Sequence, residues 1–221
     1  MRLPQFPVLR GLAAPPFLQG ALFAGVLVVA LAGPAFAQPA VSAEVMAQGA
    51  ALAQTHCATC HGAEGQSASP GFPRLAGQNE RYLIKQLRDF ATGARTSSVM
   101  KDKATVLNEA GIRALALHYS RQSAASMPSD DAQLVAVGQF IYERGNVYSG
   151  LPACLACHGT QARGTAELPR LAGQHPRYLE QQLHQFSQRQ RRNDNAIMNV
   201  IASRLSELES RAVTEYLGSL K

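Results

Sequence analysis

Cys57, Cys60 and His61 stand together in CATCHG at 57–62, and Cys154, Cys157 and His158 in CLACHG at 154–159. These motifs hold all four cysteines of the chain. Two thiols three positions apart, with an imidazole on the next residue, fall on one side of a helical turn. There both thiols can bond to the vinyl groups of a haem while the imidazole reaches the iron from the same face. C-x-x-C-H is the attachment signature of c-type haem. Two other chemistries use the same residue types. A four-cysteine zinc site places its C-x-x-C pairs ~15 to 20 residues apart, whereas Cys60 and Cys154 are separated by 94 positions. A thioredoxin-type redox pair belongs at a strand-to-helix junction, and no stretch alternates as a strand does. Two copies of the motif in matching context point to two covalently bound haem c groups.

An iron held by one imidazole calls for a second ligand. Of five methionines, Met100 and Met198 occupy matching places, 39 residues after His61 and 40 after His158. Their recurrence predicts His61 with Met100 on one iron and His158 with Met198 on the other. A thioether is soft and neutral, so it favours ferrous iron and raises the reduction potential relative to a second histidine. Two saturated irons suit outer-sphere electron transfer. A di-haem peroxidase-type enzyme needs one iron with an open or displaceable position, hence two unlike ligand sets, and these two sets match. The stretch TSSVMKDK around Met100 is more polar than NAIMNV around Met198, which predicts the more mobile ligand loop at the first site. His56, His118, His175 and His184 have no counterpart histidine and read as surface or structural. Arg74, Arg81, Arg170 and Arg177 recur in both halves and are candidates to pair with haem carboxylates.

The elements that position these residues are duplicated. PRLAGQNERYLIKQLRDF at 73–90 recurs as PRLAGQHPRYLEQQLHQF at 169–186, an offset of 96, and the cysteine motif recurs at an offset of 97. Each unit shows the same helical outline. A first helix carries Val45, Gly49, Leu52 and Ala53, or Leu134, Gly138, Ile141 and Tyr142. A middle helix runs from Tyr82 to Phe90 or Tyr178 to Phe186, and a last helix closes the unit. Ser206 with Glu209 forms a capping-box pair, while Asn108 is a cap with Gly111 in the glutamate's place. NVYSGLPA before Cys154 has no counterpart in the first unit and reads as an inserted loop. Gly62 and Gly159 follow the histidines, where the absence of a side chain leaves room for the macrocycle. The class is all-α.

Residues 1–37 hold two arginines and no acid, an apolar run from Ala21 to Ala32, and the triplet Ala35, Phe36, Ala37. That is the layout of a secretory signal peptide cleaved after Ala37, rather than of a retained anchor, because the apolar run is shorter than the ~20 residues of a spanning helix. The expected organisation is 1–37 signal peptide, 38–122 first haem domain, 123–131 linker and 132–221 second haem domain. Loss of Arg2 and Arg10 lowers the formal charge from +6 to +4. The sequence shows no basic and aromatic interleaving of the kind that tracks nucleic acid.

Two C-x-x-C-H-G motifs, each followed by PRLAGQ and RYL..QL..F, then a methionine and a last helix, resemble the di-haem cytochrome c4 family of bacterial periplasms. The resemblance covers residues 42 to 221. It implies two tandem class I cytochrome c domains related by a pseudo-two-fold axis, and it implies that the carbonyls of Pro73 and Pro169 accept the Nδ1 protons of His61 and His158. It further implies an electron carrier, sometimes tethered to the membrane surface, that takes electrons from a bc-type quinol-oxidising complex and passes them to a terminal oxidase. Related di-haem chains serve as the cytochrome subunit of a flavin-containing sulfide dehydrogenase.

Overall fold

Short polar side chains start the helices at places the sequence marks. In the computed structural model, which describes residues 42–221, α1 (Ala43–Leu52) begins at Ser42, whose hydroxyl accepts from the Val45 amide. The expected signal segment and its cleavage point lie outside the described residues. The chain then widens into a π-type turn over Ala53–Cys57 and re-tightens as α2 (Ala58–His61). A π turn carries an extra residue per ring and rotates everything after it, so it sets the direction in which Cys60 and His61 project. The first lobe is completed by α3 (Glu80–Thr92), α4 (Ser98–Thr105) and α5 (Glu109–Ser120). Asn108 caps α5, its side-chain oxygen accepting from the Gly111 amide at 2.8 Å.

The second lobe repeats the plan with α6 (Ala132–Arg144), α7 (Leu155–His158), α8 (Pro176–Ser187), α9 (Ile197–Ala202) and α10 (Glu207–Ser219). The capping box is formed: Glu209 N donates to the Ser206 hydroxyl at 3.2 Å, and Ser206 N donates back to the Glu209 carboxylate at 2.8 Å. The inserted segment is a tight hairpin rather than an open loop. Asn146 and Leu151 exchange two backbone hydrogen bonds of 2.9 Å, and Asn146 Nδ2 donates to Glu209 at 2.7 Å. The hairpin tip exposes Val147 and Tyr148.

In each lobe the first helix packs on the last, α1 on α5 and α6 on α10. Glycine permits the approach. A Cβ on Gly49 would lie 2.3 Å from the Ala114 carbonyl oxygen, and one on Gly138 would lie 2.0 Å from that of Ala212. The lobes have separate apolar centres. Ala53, Leu83, Leu115, Ala116 and Tyr119 make the first; Ile141, Tyr142, Leu151, Leu179, Val213, Tyr216 and Leu217 lead the second. No helix among the described residues is long and apolar enough to cross a membrane.

Candidate haem sites and the surface between them

The first cysteine of each motif is wedged against its lobe's apolar centre, Cys57 in one and Cys154 in the other. All four cysteines are unpaired. Burial pushes the Cys57 thiol up, and that of Cys154 up to about 11, which keeps both as neutral thiols in an apolar setting. His61 and His158 are buried, and burial pushes both imidazoles below their ordinary pKa against the opposing pull of a nearby carbonyl. His61 Nδ1 donates to the Pro73 carbonyl at 2.9 Å, which leaves the lone pair on Nε2, the nitrogen free to bind iron. His158 Nδ1 faces the Pro169 carbonyl but stays outside hydrogen-bonding geometry, an orphaned buried polar atom. Buried neutral imidazoles beside two free thiols fit covalent haem better than any use the protein alone makes of them.

Gly62 and Gly159 have φ of +77° and +78°. Left-handed backbone of that kind favours glycine whatever lies nearby, so both places call for glycine on backbone grounds as well. The loop after each motif then grips the proline-led segment. The carbonyl of Gly65 accepts from the Leu75 and Ala76 amides at 2.8 and 3.1 Å, and that of Ala162 from Leu171 and Ala172 at 2.8 and 3.0 Å. Met100 lies in α4 and Met198 in α9, both half-buried.

The repeated PRLAGQ segments meet each other. Gln78 accepts from the Arg170 amide at 2.7 Å and donates to the Arg170 carbonyl at 2.9 Å. Gln174 does the same with Arg74, at 2.7 and 2.8 Å. This reciprocal pairing is the local form of the pseudo-two-fold relation. The arginines singled out from sequence are otherwise employed. Arg74 donates to the carbonyls of Ala125 and Gly173, Arg170 to that of Ala172, and exposed Arg81 pairs with Glu167 at 2.7 Å. Arg177 is exposed. The inter-lobe segment is pinned as well, by Arg74 at Ala125 and by the Met127 amide on the Gly218 carbonyl at 2.7 Å.

The cations drawn in between the lobes are a different pair, half-buried Arg95 and buried Arg191, which sequence reasoning missed although they share the 96-residue offset. Arg95 stacks over Phe90 at 4.5 Å and donates to Gln86 of its own lobe and to Tyr178 and Gln182 of the other, at 2.8 to 2.9 Å. Arg191 mirrors it, stacked over Phe186 at 4.6 Å and donating to Gln182, Tyr82 and Gln86 at 2.8 to 3.1 Å. Among the described residues no carboxylate bonds either guanidinium. Two like charges sharing neutral acceptors in a desolvated place are costly unless anions complete the site.

His175 at the start of α8 is 2 % exposed, and its Nε2 lies 2.8 Å from the carbonyl oxygen of Ser67 in the first lobe. Its counterpart Asn79 donates to the Leu168 carbonyl at 2.6 Å. Burial holds the imidazole pKa below its ordinary value, the Ser67 carbonyl pulling the other way and the Arg74 charge adding to the depression. The unfolded chain titrates near ~6.5. Below that pH the unfolded state takes up a proton that the folded state refuses, so stability is lost as pH falls toward the depressed folded value. His175→Asn, which copies the first lobe, is expected to flatten the fall in melting temperature between pH 7 and 5, read by calorimetry. An unchanged slope would place the acid sensitivity elsewhere.

An all-α pair of lobes, each carrying C-x-x-C-H at the end of a short helix with the imidazole buried, defines a di-haem c-type cytochrome. The cytochrome c family matches the chain twice, over residues 46–143 and 135–221. Cytochrome c4 of Pseudomonas aeruginosa is 39% identical over 168 residues, covering 74% of this chain and 83% of that relative. The thiosulfate dehydrogenase electron acceptor of Thiomonas intermedia is 38% identical over 168 residues, covering 74% of this chain and 77% of that relative. The crystal structure of reduced recombinant cytochrome c4 from Pseudomonas stutzeri superposes with a TM-score of 0.75 at 33% identity, covering 82% of this chain and all of that one. The chain belongs to the cytochrome c4 family: it is a di-haem electron carrier rather than an enzyme, with two covalently bound haem c groups.

Proposed function

We propose that this chain works in the periplasm, exported by residues 1–37, and carries electrons from a bc-type quinol-oxidising complex to a terminal oxidase. In this reading Cys57 and Cys60 would anchor one haem and Cys154 and Cys157 the other, with His61 and Met100 holding one iron and His158 and Met198 the other. Bound haem iron supplies the one-electron exchange; the protein supplies ligands, orientation and electrostatics. The observation that carries the reading is the matched pair of sites, buried imidazole and half-buried methionine at the same places in both lobes. Residues 38–122 and 132–221 are then the two haem domains, and 123–131 the segment joining them.

Arg95 and Arg191 are the groups best placed to receive haem carboxylates, because they are sheltered, stacked and without an anionic partner. They supersede Arg74, Arg81, Arg170 and Arg177 in that role. In purified ferric protein the sulfur-to-iron charge-transfer band is expected, and Met100→His or Met198→His should each remove about half of it. A wild-type protein without the band would refute both methionine assignments. A second reading, an electron-accepting partner of a sulfur-compound dehydrogenase, is favoured by the thiosulfate dehydrogenase electron acceptor among the relatives. Stopped-flow mixing of the reduced protein with a terminal oxidase, and of the oxidised protein with a thiosulfate dehydrogenase, separates the two.

A further inference from the structure

The two methionine segments occupy the same place in the duplication yet are anchored differently. Met198 is followed by Asn199, which is 5 % exposed. Its Nδ2 donates to the Phe186 carbonyl at 2.7 Å and to the Arg191 carbonyl at 2.8 Å. Phe186 lies in the last turn of α8, where helix carbonyls lack intrahelical donors, and Arg191 lies in the turn that follows. One buried amide thus ties α9 to the end of α8. Arg191 carries the tie across the lobes, since its guanidinium reaches Tyr82 and Gln86 at 2.9 and 3.1 Å. Met100 is followed instead by Lys101, which is exposed and donates no side-chain hydrogen bond among the described residues. The start of α4 is held by the Ser97 hydroxyl, which accepts from the Met100 amide at 3.3 Å.

We propose that Asn199 is a positioning residue for Met198, locking it through α8 and Arg191 to the first lobe, so that the second iron keeps its methionine under conditions that strip the first. The proposal rests on the reading of Met100 and Met198 as axial ligands. A ligand on a clamped segment is displaced only by breaking the clamp as well, and each buried hydrogen bond adds to what must be broken. Two such bonds correspond to a difference of at least about fivefold in the concentration of a competing ligand.

The test titrates the ferric holoprotein with imidazole and follows the sulfur-to-iron charge-transfer band. Wild type is expected to lose the band in two phases, and Met100→His, which leaves only the second site's methionine, identifies the later one. Asn199→Ala should lower the midpoint of the later phase at least about fivefold and leave the earlier phase where it was. Asn199→Leu, which keeps the space filled, should do the same if the alanine variant folds poorly. Lys101→Ala should move neither phase. The proposal is overturned if the later midpoint is unchanged in both Asn199 variants, or if both phases shift together, as a general loosening would make them. Absence of the band from wild type would instead overturn the ligand assignment beneath it, so the two failures are told apart.

Discussion

Replacing Cys57 and Cys60 together by serine is expected to halve the haem absorbance per chain and to remove the cooperative unfolding transition of the first lobe, while the second keeps its own. The reason lies in what the first lobe buries by itself. Its apolar centre consists of Ala53, Leu83, Leu115, Ala116 and Tyr119, so two of five members are alanines. A domain of this size is marginal even with a full core, because a small fold buries a low share of its surface. Covalent haem held by Cys57 and Cys60 would add apolar surface to that centre, and whatever binds only the folded state stabilises it. The second lobe, with Ile141, Tyr142, Leu151, Leu179, Val213, Tyr216 and Leu217 buried, should tolerate Cys154→Ser with Cys157→Ser better. Calorimetry beside a haem spectrum reads both effects. A first lobe that still melts cooperatively without haem would show that the protein alone supplies its core.

Gly138→Ala is expected to destabilise the second lobe strongly. Its Cβ would fall 2.0 Å from the Ala212 carbonyl oxygen, 2.5 Å from the Ala212 carbonyl carbon and 2.9 Å from the Tyr216 Cβ. Two of these are backbone atoms of α10, so no rotamer change relieves the overlap and α6 must move away. Overpacking of this kind costs up to about 3 kcal/mol, which for a lobe of this length is a fall in melting temperature on the order of 10 to 20 °C. Gly49→Ala should act likewise on α1 and α5, where the approach is 2.3 Å. Gly93→Ala is the control, since a Cβ there meets nothing within 4 Å and only its φ of +84° is strained. A Gly138→Ala protein that melts within a few degrees of wild type would mean that the helices slide apart at little cost.

Helix starts were legible because caps are local: Ser206 with Glu209 and Asn108 with Gly111 act within three residues, and the structure has both. The hairpin at Asn146–Leu151 was not, although its two backbone bonds are local, and its Asn146 side chain is held by Glu209, more than sixty residues away. Arg95 and Arg191 escaped notice because they lie beyond the repeated string PRLAGQ…F, where the two copies diverge in letters while keeping the offset. His175 read from sequence as surface or structural, and the first lobe's Ser67 brought against it makes it structural.

By itself the sequence determined the chemistry and the duplication, since C-x-x-C-H, a methionine at matched distance and a 96-residue repeat are properties of order along the chain. Only the tertiary structure decided how the copies use one another. The glutamine ending each PRLAGQ pairs with the other copy's backbone, and Arg95 and Arg191 each donate to the opposite lobe's tyrosine. The matched methionine segments, different in sequence, are also held differently, Asn199 bonding one to the end of α8 and Ser97 capping the other. The physical reason is that hydrogen bonding and burial join groups far apart along the chain, Arg95 and Tyr178 or Gln78 and Arg170 among them, and no local spacing records which of them will meet.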